Sequence, residues 1–221
     1  IDMLVIGTLI TLSYVILIGS FIFGFGKITP FKLKKLVSKT TFSVIIPFRN
    51  EAENLPLLLE SISKLNYPKH LYEIIFLDDE SEDESANHIA IFQNGQNTGI
   101  NSKLTKNERK TNSPKKDAIT SAIILAKHEW IITTDADCQL PKYWLDSFDE
   151  FIHSNNTKCV VAPVTYHKGI NFLSRFQLLD FLSLQGATMG GFGINQPFLC
   201  NGANFGYEKE LYDGKIGRAH V

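Results

Sequence analysis

The stretch Ile131-Ile132-Thr133-Thr134-Asp135-Ala136-Asp137 decides how this chain is read. An uncharged, β-branched run ends abruptly in two carboxylates spaced i and i+2. Such a run predicts a buried strand of a parallel sheet, covered on both faces. Where the strand leaves the core, Asp135 and Asp137 emerge at its carboxyl end, the edge at which open α/β sheets bind ligands. Two neighbouring carboxylates repel, and a divalent cation relieves that repulsion. Hard oxygen ligands suit Mg2+ or Mn2+, which can in turn hold substrate phosphates. On these residues alone, a solvated Asp-x-Asp turn stands level with a metal site.

Working outward, Phe42-Ser43-Val44-Ile45-Ile46-Pro47 predicts a first strand stopped by proline. Asn50 and Glu51 lead into an amphipathic helix, with Leu55, Leu58, Leu59 and Ile62 at helical spacing. Tyr72 to Leu77 predicts a second strand, ending at Asp78-Asp79-Glu80-Ser81-Glu82-Asp83, with Ser81 as N-cap of the next helix. Gln93 to Pro114 is polar and reads as a loop around one short strand. Lys115 to Lys127 predicts a helix with Ala118, Ile119, Ala122 and Ile123 on its apolar face. A helix from Lys142 to His153 and a strand from Cys159 to Pro163 follow the central strand. Strands alternating with helices predict an α/β fold: a mainly parallel central sheet with helices on both faces.

If the strands ending in Asp78-Asp79 and Asp135-Asp137 are neighbours, both acidic pairs face one crevice, for which a nucleotide is the natural occupant. Neither a P-loop nor G-x-G-x-x-G follows any strand, which leaves the phosphates to metal and lysine. Lys115 and Lys116 open a helix, where cations oppose the dipole. That placement fits an anionic ligand and fits a solvated lysine pair equally.

The composition sets limits on the alternatives. The chain has 221 residues, 44% of them hydrophobic, with 16 Phe, ample for a core. A net charge of -1 argues against a nucleic-acid partner, which calls for a basic excess. Three scattered cysteines, Cys138, Cys159 and Cys200, form no CxxC pair and fit free thiols in a reducing compartment. Cys138, beside the carboxylates, reads as a semi-buried filler.

Met3 to Gly26 carries no charge over roughly 24 residues, enough to cross a hydrocarbon core of about 30 Å. It lacks the basic leader and small-residue cleavage site of a signal peptide and predicts a retained transmembrane helix, with a buried core helix as the alternative. Lys27, Lys32, Lys34, Lys35 and Lys39 follow it, whereas Asp2 alone precedes it. The positive-inside rule then predicts an integral membrane protein whose globular part faces the cytosol.

Four motifs in order carry a resemblance: Pro47-Phe48-Arg49-Asn50-Glu51, Leu77-Asp78-Asp79-Glu80-Ser81-Glu82-Asp83, Lys116-Asp117-Ala118 and Thr134-Asp135-Ala136-Asp137. Together they resemble the family 2 glycosyltransferases, inverting enzymes of GT-A fold that include cellulose, chitin and poly-N-acetylglucosamine synthases. The resemblance runs from about Thr41 to about Tyr212. It implies transfer of a sugar from a nucleoside-diphosphate sugar, UDP-linked, to a lipid or polysaccharide acceptor at the cytosolic membrane face. It implies a metal, Mg2+ or Mn2+, on Asp135 and Asp137, and a donor nucleotide held by Pro47, Asn50, Glu51, Asp78, Asp79, Lys116 and Asp135. Glu80 departs from the pattern, standing where many members have Gly. Leu199 to Tyr207 resembles the segment placed beneath the acceptor, which implies acceptor roles for Asn201, Gly202, Ala203 and Asn204; an ordinary turn into an edge strand is the other reading. Between them, Ile170 to Gly193 predicts a helix that either lies at the membrane interface or packs on the sheet.

The family's general base is an acidic residue in a later motif, and processive members add Q-x-x-R-W and further membrane helices. None of these occurs here, so the expectation is a C-terminally truncated fragment that lacks its base. Ile216 to Val221 matches a translated sequencing adapter. The expected division is a transmembrane helix (1–26), a basic linker (27–40), a GT-A domain incomplete at its C-terminus (41–215) and a non-native tail (216–221). Two rivals remain. A nucleotidyltransferase would use similar carboxylates but usually needs a Gly/Arg-rich phosphate loop. A membrane-anchored nucleotide-sugar binding module, or an inactive subunit, would need no base.

Overall fold

The computed structural model describes residues 2–34, 38–95, 99–166 and 171–214, so the tail expected at 216–221 lies outside the described residues. Its elements in chain order are α1 (Met3–Lys27), β1 (Phe42–Phe48), α2 (Leu55–Ser63), β2 (Tyr72–Asp78), α3 (Ser85–Asn94), β3 (Asn101–Lys106), α4 (Pro114–Leu125), β4 (Trp130–Thr133), α5 (Trp144–Asn155), β5 (Cys159–Val161), α6 (Phe172–Gly193), β6 (Phe205–Glu208) and α7 (Glu210–Gly214). Contacts divide the chain into two units. One comprises residues 33–162 and 202–221, the other residues 1–32 and 163–201. Pro163 to Asn201 thus groups with α1 rather than with the sheet it interrupts.

The larger unit is an α/β domain on a six-stranded sheet of order β3-β2-β1-β4-β6-β5. β1 pairs in parallel with β2 and β4, and β2 with β3, whereas β6 runs antiparallel to both β4 and β5. Two features of this order answer points that the sequence left open. β2 and β4 are not neighbours, because β1 lies between them. β6 is not an edge strand; β5 is.

The period of two along β1 explains the layers. Val44 and Ile46 join Leu55, Leu58, Ile62, Trp144 and Phe148 in one core on the α2 and α5 side. Ile45, between them, joins Ile75, Ile131, Ala118, Ala122 and Tyr207 in a second core on the α4 side. All of these are buried, and each large apolar side chain contributes about 1.5–3 kcal/mol. Gly206 of β6 is required by packing: a Cβ there would come within 2.8 Å of the Phe148 ring.

β1 runs one residue past the proline expected to stop it. The Ile45 carbonyl accepts from Thr134 N on the β4 side. By alternation Pro47 faces the same side, where β4 has already ended. Its missing N–H is therefore not needed by the ladder, and Phe48 still pairs with Asp78 of β2. The central strand is shorter than expected. It leaves the ladder at Thr133, and Asp135 to Cys138 form a turn closed by Cys138 N on the Asp135 carbonyl at 3.2 Å.

The smaller unit contains α1 and α6. Within α1, Gly24 is the buried residue, and the rest of the helix is largely exposed apolar surface. α1 is long and apolar enough to cross a membrane.

Candidate active site

The strand order changes direction between β1 and β4, since β1 is followed by β2 on one side and β4 lies on the other. Ligands of open α/β sheets bind at the carboxyl ends of strands at such a switch point. A cleft of about 300 Å3 opens there, lined by Pro47, Phe48, Arg49 and Glu51 after β1, Asp79 after β2, Pro114, Lys115 and Ala118 of α4, and Asp135, Ala136 and Asp137 after β4. The two acidic pairs therefore reach one cleft, although β1 separates their strands.

On the β2 side the loops are tied to one another. Asp79 is buried, and its carboxylate accepts from Arg109 Nε at 2.9 Å, Arg109 Nη2 at 2.8 Å and Asn107 Nδ2 at 2.7 Å. The Arg109 hydrogen bonds hold the Asp79 carboxyl below the usual carboxylate range; burial opposes this, and Asn107 and Arg49 add to it. Arg109 also pairs with Glu80 at 2.9 Å. Asp78 does not line the cleft: its Oδ1 accepts from Ser81 N at 2.8 Å and shapes the turn. Asn50, in the left-handed region at φ 54°, accepts from Glu82 N at 2.8 Å, and its own N–H donates to Ser81 Oγ at 3.1 Å. Ser81 therefore bridges two loops instead of capping α3, whose N-cap is Glu84. Glu51 N donates to Ser85 Oγ at 2.8 Å. Glu80 also adopts a positive φ, 61°, which favours glycine.

On the β4 side the carboxylates are more open. Lys115 Nζ donates to Asp135 Oδ1 at 2.7 Å, with the Asp135 side chain one-third exposed. Asp137 is exposed, and the Cys138 thiol approaches its Oδ1 at 3.8 Å. Burial pushes the Cys138 thiol above its ordinary value, consistent with a filler. The expected lysine is displaced by one position: Lys115 faces the cleft, while Lys116 is not among its lining residues. Adjacent residues of a helix point about 100° apart, so the pair cannot share one face. Below it, Asp117 accepts from Thr111 N at 2.7 Å, from Lys110 N at 2.8 Å and from Thr111 Oγ1 at 2.9 Å. These bonds, the one from Thr111 N foremost, hold its carboxyl below the usual range.

The donor set fits a divalent cation. Asp135 already holds an ammonium group, which shows that its carboxylate accepts a cation on the cleft side. Among the described residues no group of three or more His, Cys, Asp or Glu side chains converges. Two carboxylates suit an ion completed by water and substrate phosphates rather than an all-protein cage.

Of the expected acceptor residues, Gly202 to Asn204 form a short 3-10 turn before β6. Ala203 is buried, and Asn204 Oδ1 accepts from Trp144 Nε1 at 2.9 Å. Gly202 differs: its carbonyl accepts from Thr133 Oγ1 at 2.6 Å, and a Cβ would meet nothing within 4 Å. Asn201 belongs to the other unit. Arg109 and Asn107 are the residues that sequence reasoning did not single out, and of the lysine pair it did name, Lys115 is the one that lines the cleft.

A switch-point cleft of this kind on a mixed sheet defines an α/β domain of GT-A type. The chain belongs to glycosyltransferase family 2, whose profile, described as Glycosyl transferase family 2, matches residues 43–213. It is 27% identical over 130 residues to the poly(ribitol-phosphate) β-N-acetylglucosaminyltransferase TarS of Staphylococcus aureus, covering 59% of this chain and 21% of that protein. It is 35% identical over 114 residues to the undecaprenyl-phosphate 4-deoxy-4-formamido-L-arabinose transferase of Yersinia enterocolitica, covering 50% of this chain and 31% of that protein. Among solved structures, the mannosyltransferase PcManGT of Pyrobaculum calidifontis, in complex with GDP-Man and Mn2+, shares the fold with a TM-score of 0.64 at 16% identity, over 91% of this chain and 55% of that one. TarS in complex with UDP-GlcNAc superposes with a TM-score of 0.50 at 25% identity, over 59% of this chain and 37% of that one. The chain spans about a fifth to a third of the length of the curated relatives it matches.

Proposed function

We propose that this chain is the donor-binding part of a membrane-anchored, inverting glycosyltransferase that takes a sugar from a nucleoside-diphosphate sugar, UDP-linked, to a lipid or glycan acceptor at the cytosolic membrane face. The observation that carries the proposal is the convergence of Asp79, Lys115, Asp135 and Asp137 on one cleft at the switch point. Asp79, fixed by Arg109 and Asn107, offers its carboxylate edge to the nucleoside, with Pro47, Asn50 and Glu51 shaping the wall and Asp78 holding the turn behind it. Lys115, rather than Lys116, turns from Asp135 to the diphosphate. Asp135 and Asp137 would hold Mg2+ or Mn2+. When bound, such an ion neutralises the charge that grows on the departing diphosphate. Attack by an acceptor hydroxyl forms the new glycosidic bond as the anomeric C–O bond to the diphosphate breaks, inverting the centre once. The base that takes the hydroxyl proton is assigned to the family's later acidic motif rather than to Asp79, Asp135 or Asp137.

For the acceptor, Gly202 leaves open space at its Cα, with Asn201 beside it in sequence, while Ala203 and Asn204 act as support. The relatives' acceptors, poly(ribitol phosphate) and undecaprenyl phosphate by name, support a cell-envelope polymer or lipid. The uncharged α1, followed by lysines, supports the anchor and its cytosolic orientation.

The test is transfer by the complete gene product and its Asp137→Ala variant, with product analysis. The expected products are glycosylated acceptor and free nucleoside diphosphate, with turnover in the variant down by about 1,000-fold. Release of pyrophosphate would point to a nucleotidyltransferase, and near-normal turnover in the variant would remove the metal site from the mechanism.

A further inference from the structure

We propose that Asp117 is a positioning residue of the donor site: through the backbone of Lys110 and Thr111 it fixes Arg109 on Asp79, and so shapes the wall that meets the nucleoside. The inference rests on the donor-site reading above and extends it to a residue that does not line the cleft.

The loop between β3 and α4 is held by polar ties. Glu108, Arg109, Lys110, Thr111 and Asn112 are all exposed, so none of them is anchored in a core. A segment without buried apolar contacts opens easily unless other bonds fasten it. The first tie is Asn107, whose N–H donates to the Asp78 carbonyl at 2.8 Å and whose Nδ2 donates to the Pro114 carbonyl at 3.0 Å. The second is Asp117. Lys110 N, Thr111 N and Thr111 Oγ1 converge on this one carboxylate, which is itself buried. Thr111 Oγ1 in turn accepts from Ser113 N at 3.2 Å. Arg109 lies between the two ties.

The contacts of Arg109 require such a support. Its guanidinium meets Asp79 through two N–H groups, at 2.9 Å and 2.8 Å, and Glu80 through a third. A rigid planar fork makes paired bonds over a narrow range of positions, so a small backbone shift loses one of them. The Lys110 N–H belongs to the planar peptide unit that begins at the Arg109 Cα, and its bond to Asp117 therefore acts on the Arg109 backbone directly. The helix supplies the direction. Lys115 and Asp117 stand two positions apart on α4, about 200° around its axis. Lys115 lines the cleft, and Asp117 does not. One turn of α4 thus presents a cation to the phosphate end and turns a carboxylate under the loop that braces the nucleoside end.

The experiment is a double-mutant cycle read by affinity for UDP, or for GDP if the parent prefers it. It uses the full chain in detergent with Mn2+, below the melting temperature of every variant. Asp117→Ala is expected to weaken binding by about 5-fold. In an Arg109→Ala background the same change should cost less than about 1.5-fold, because the group it positions is gone. In a Lys115→Ala background it should keep its full effect, since that lysine serves the phosphates from the other face of α4. If Asp117→Ala does not fold, Thr111→Val, which loses one of the three bonds, runs the same cycle with an expected loss of about 3-fold. A lower melting temperature with unchanged nucleotide affinity would overturn the proposal and leave Asp117 a support of the fold alone. A full loss in the Arg109→Ala background would overturn it as well, by showing a route other than Arg109. A parent that binds neither nucleotide would instead remove the donor-site reading, and this inference with it.

Discussion

The two acidic strand ends that meet in the cleft differ in how far the protein completes them. After β2, Asp79 is buried and its carboxylate accepts three hydrogen bonds, two from one guanidinium. The neighbouring turn is closed by Asp78, Asn50 and Ser81. After β4, Asp135 holds one lysine on a partly exposed pair, and Asp137 faces the cleft exposed. A network satisfied in advance rigidifies a surface and spares the ligand the cost of ordering it. Carboxylates left short of partners keep a charge that a cation and its phosphates complete. The first region is a shaped wall; the second is a site for charge.

Breaking the wall should register chiefly as stability. Arg109→Ala leaves Asp79 buried with Asn107 as its remaining hydrogen-bonding side chain, and the expected fall in melting temperature is several degrees. The pH dependence gives the sign. Asp79 titrates below its unfolded value of about 3.9 in the folded protein, so its contribution is complete above that value and is lost as pH falls through the lower folded value. Thermal melts between about pH 5 and pH 2 should therefore show a shallower loss in Arg109→Ala than in the parent; parallel curves would contradict the pairing.

Disturbing the open end should register in binding. Lys115→Ala is expected to weaken binding of the nucleoside diphosphate by about 10-fold or more, the worth of a charge-assisted phosphate contact, with little change in melting. Lys116→Ala should stay within about 2-fold, because its side chain is outside the cleft lining. Equal losses in both variants would mean that either lysine can reach the phosphates.

The smallest effect concerns Glu80. Its left-handed backbone costs about 1–2 kcal/mol, partly offset in the unfolded chain when glycine replaces it. Its pair with Arg109 is mostly exposed on the Glu80 side and adds little. Glu80→Gly should then raise stability by about 0.5–1 kcal/mol in denaturant melts. A clear loss would show that the Glu80–Arg109 pair helps to hold the wall.

These contrasts also mark what could be read in the sequence. The parallel core strands were legible, because two-sided burial leaves uninterrupted apolar runs such as Ile74 to Leu77 and Trp130 to Ile132. The acidic strand ends were legible because carboxylates follow directly on each apolar run, Asp78-Asp79 after Leu77 and Asp135 after Thr134. Arg109 was not, lying in a polar stretch rich in Asn and Lys, with its partner 30 positions away. The choice between Lys115 and Lys116 depends on a helix phase that a two-residue pair does not carry. The place of β6 inside the sheet was hidden because residues 163–201 separate it from β5, leaving no hairpin signal. The hydrogen bond from Trp144 to Asn204 joins residues 60 positions apart, another distant pairing.

The central claim is that the β4 end binds the donor through a divalent cation. Its most direct test is calorimetric titration of UDP into the full chain in detergent, with and without Mn2+, repeated on Asp135→Ala. The expected result is binding that requires Mn2+ and weakens by at least about 100-fold in the variant, while Lys115 alone holds little affinity. Equal affinity with and without Mn2+, unchanged in Asp135→Ala, would contradict the claim and leave the cleft as a metal-independent pocket.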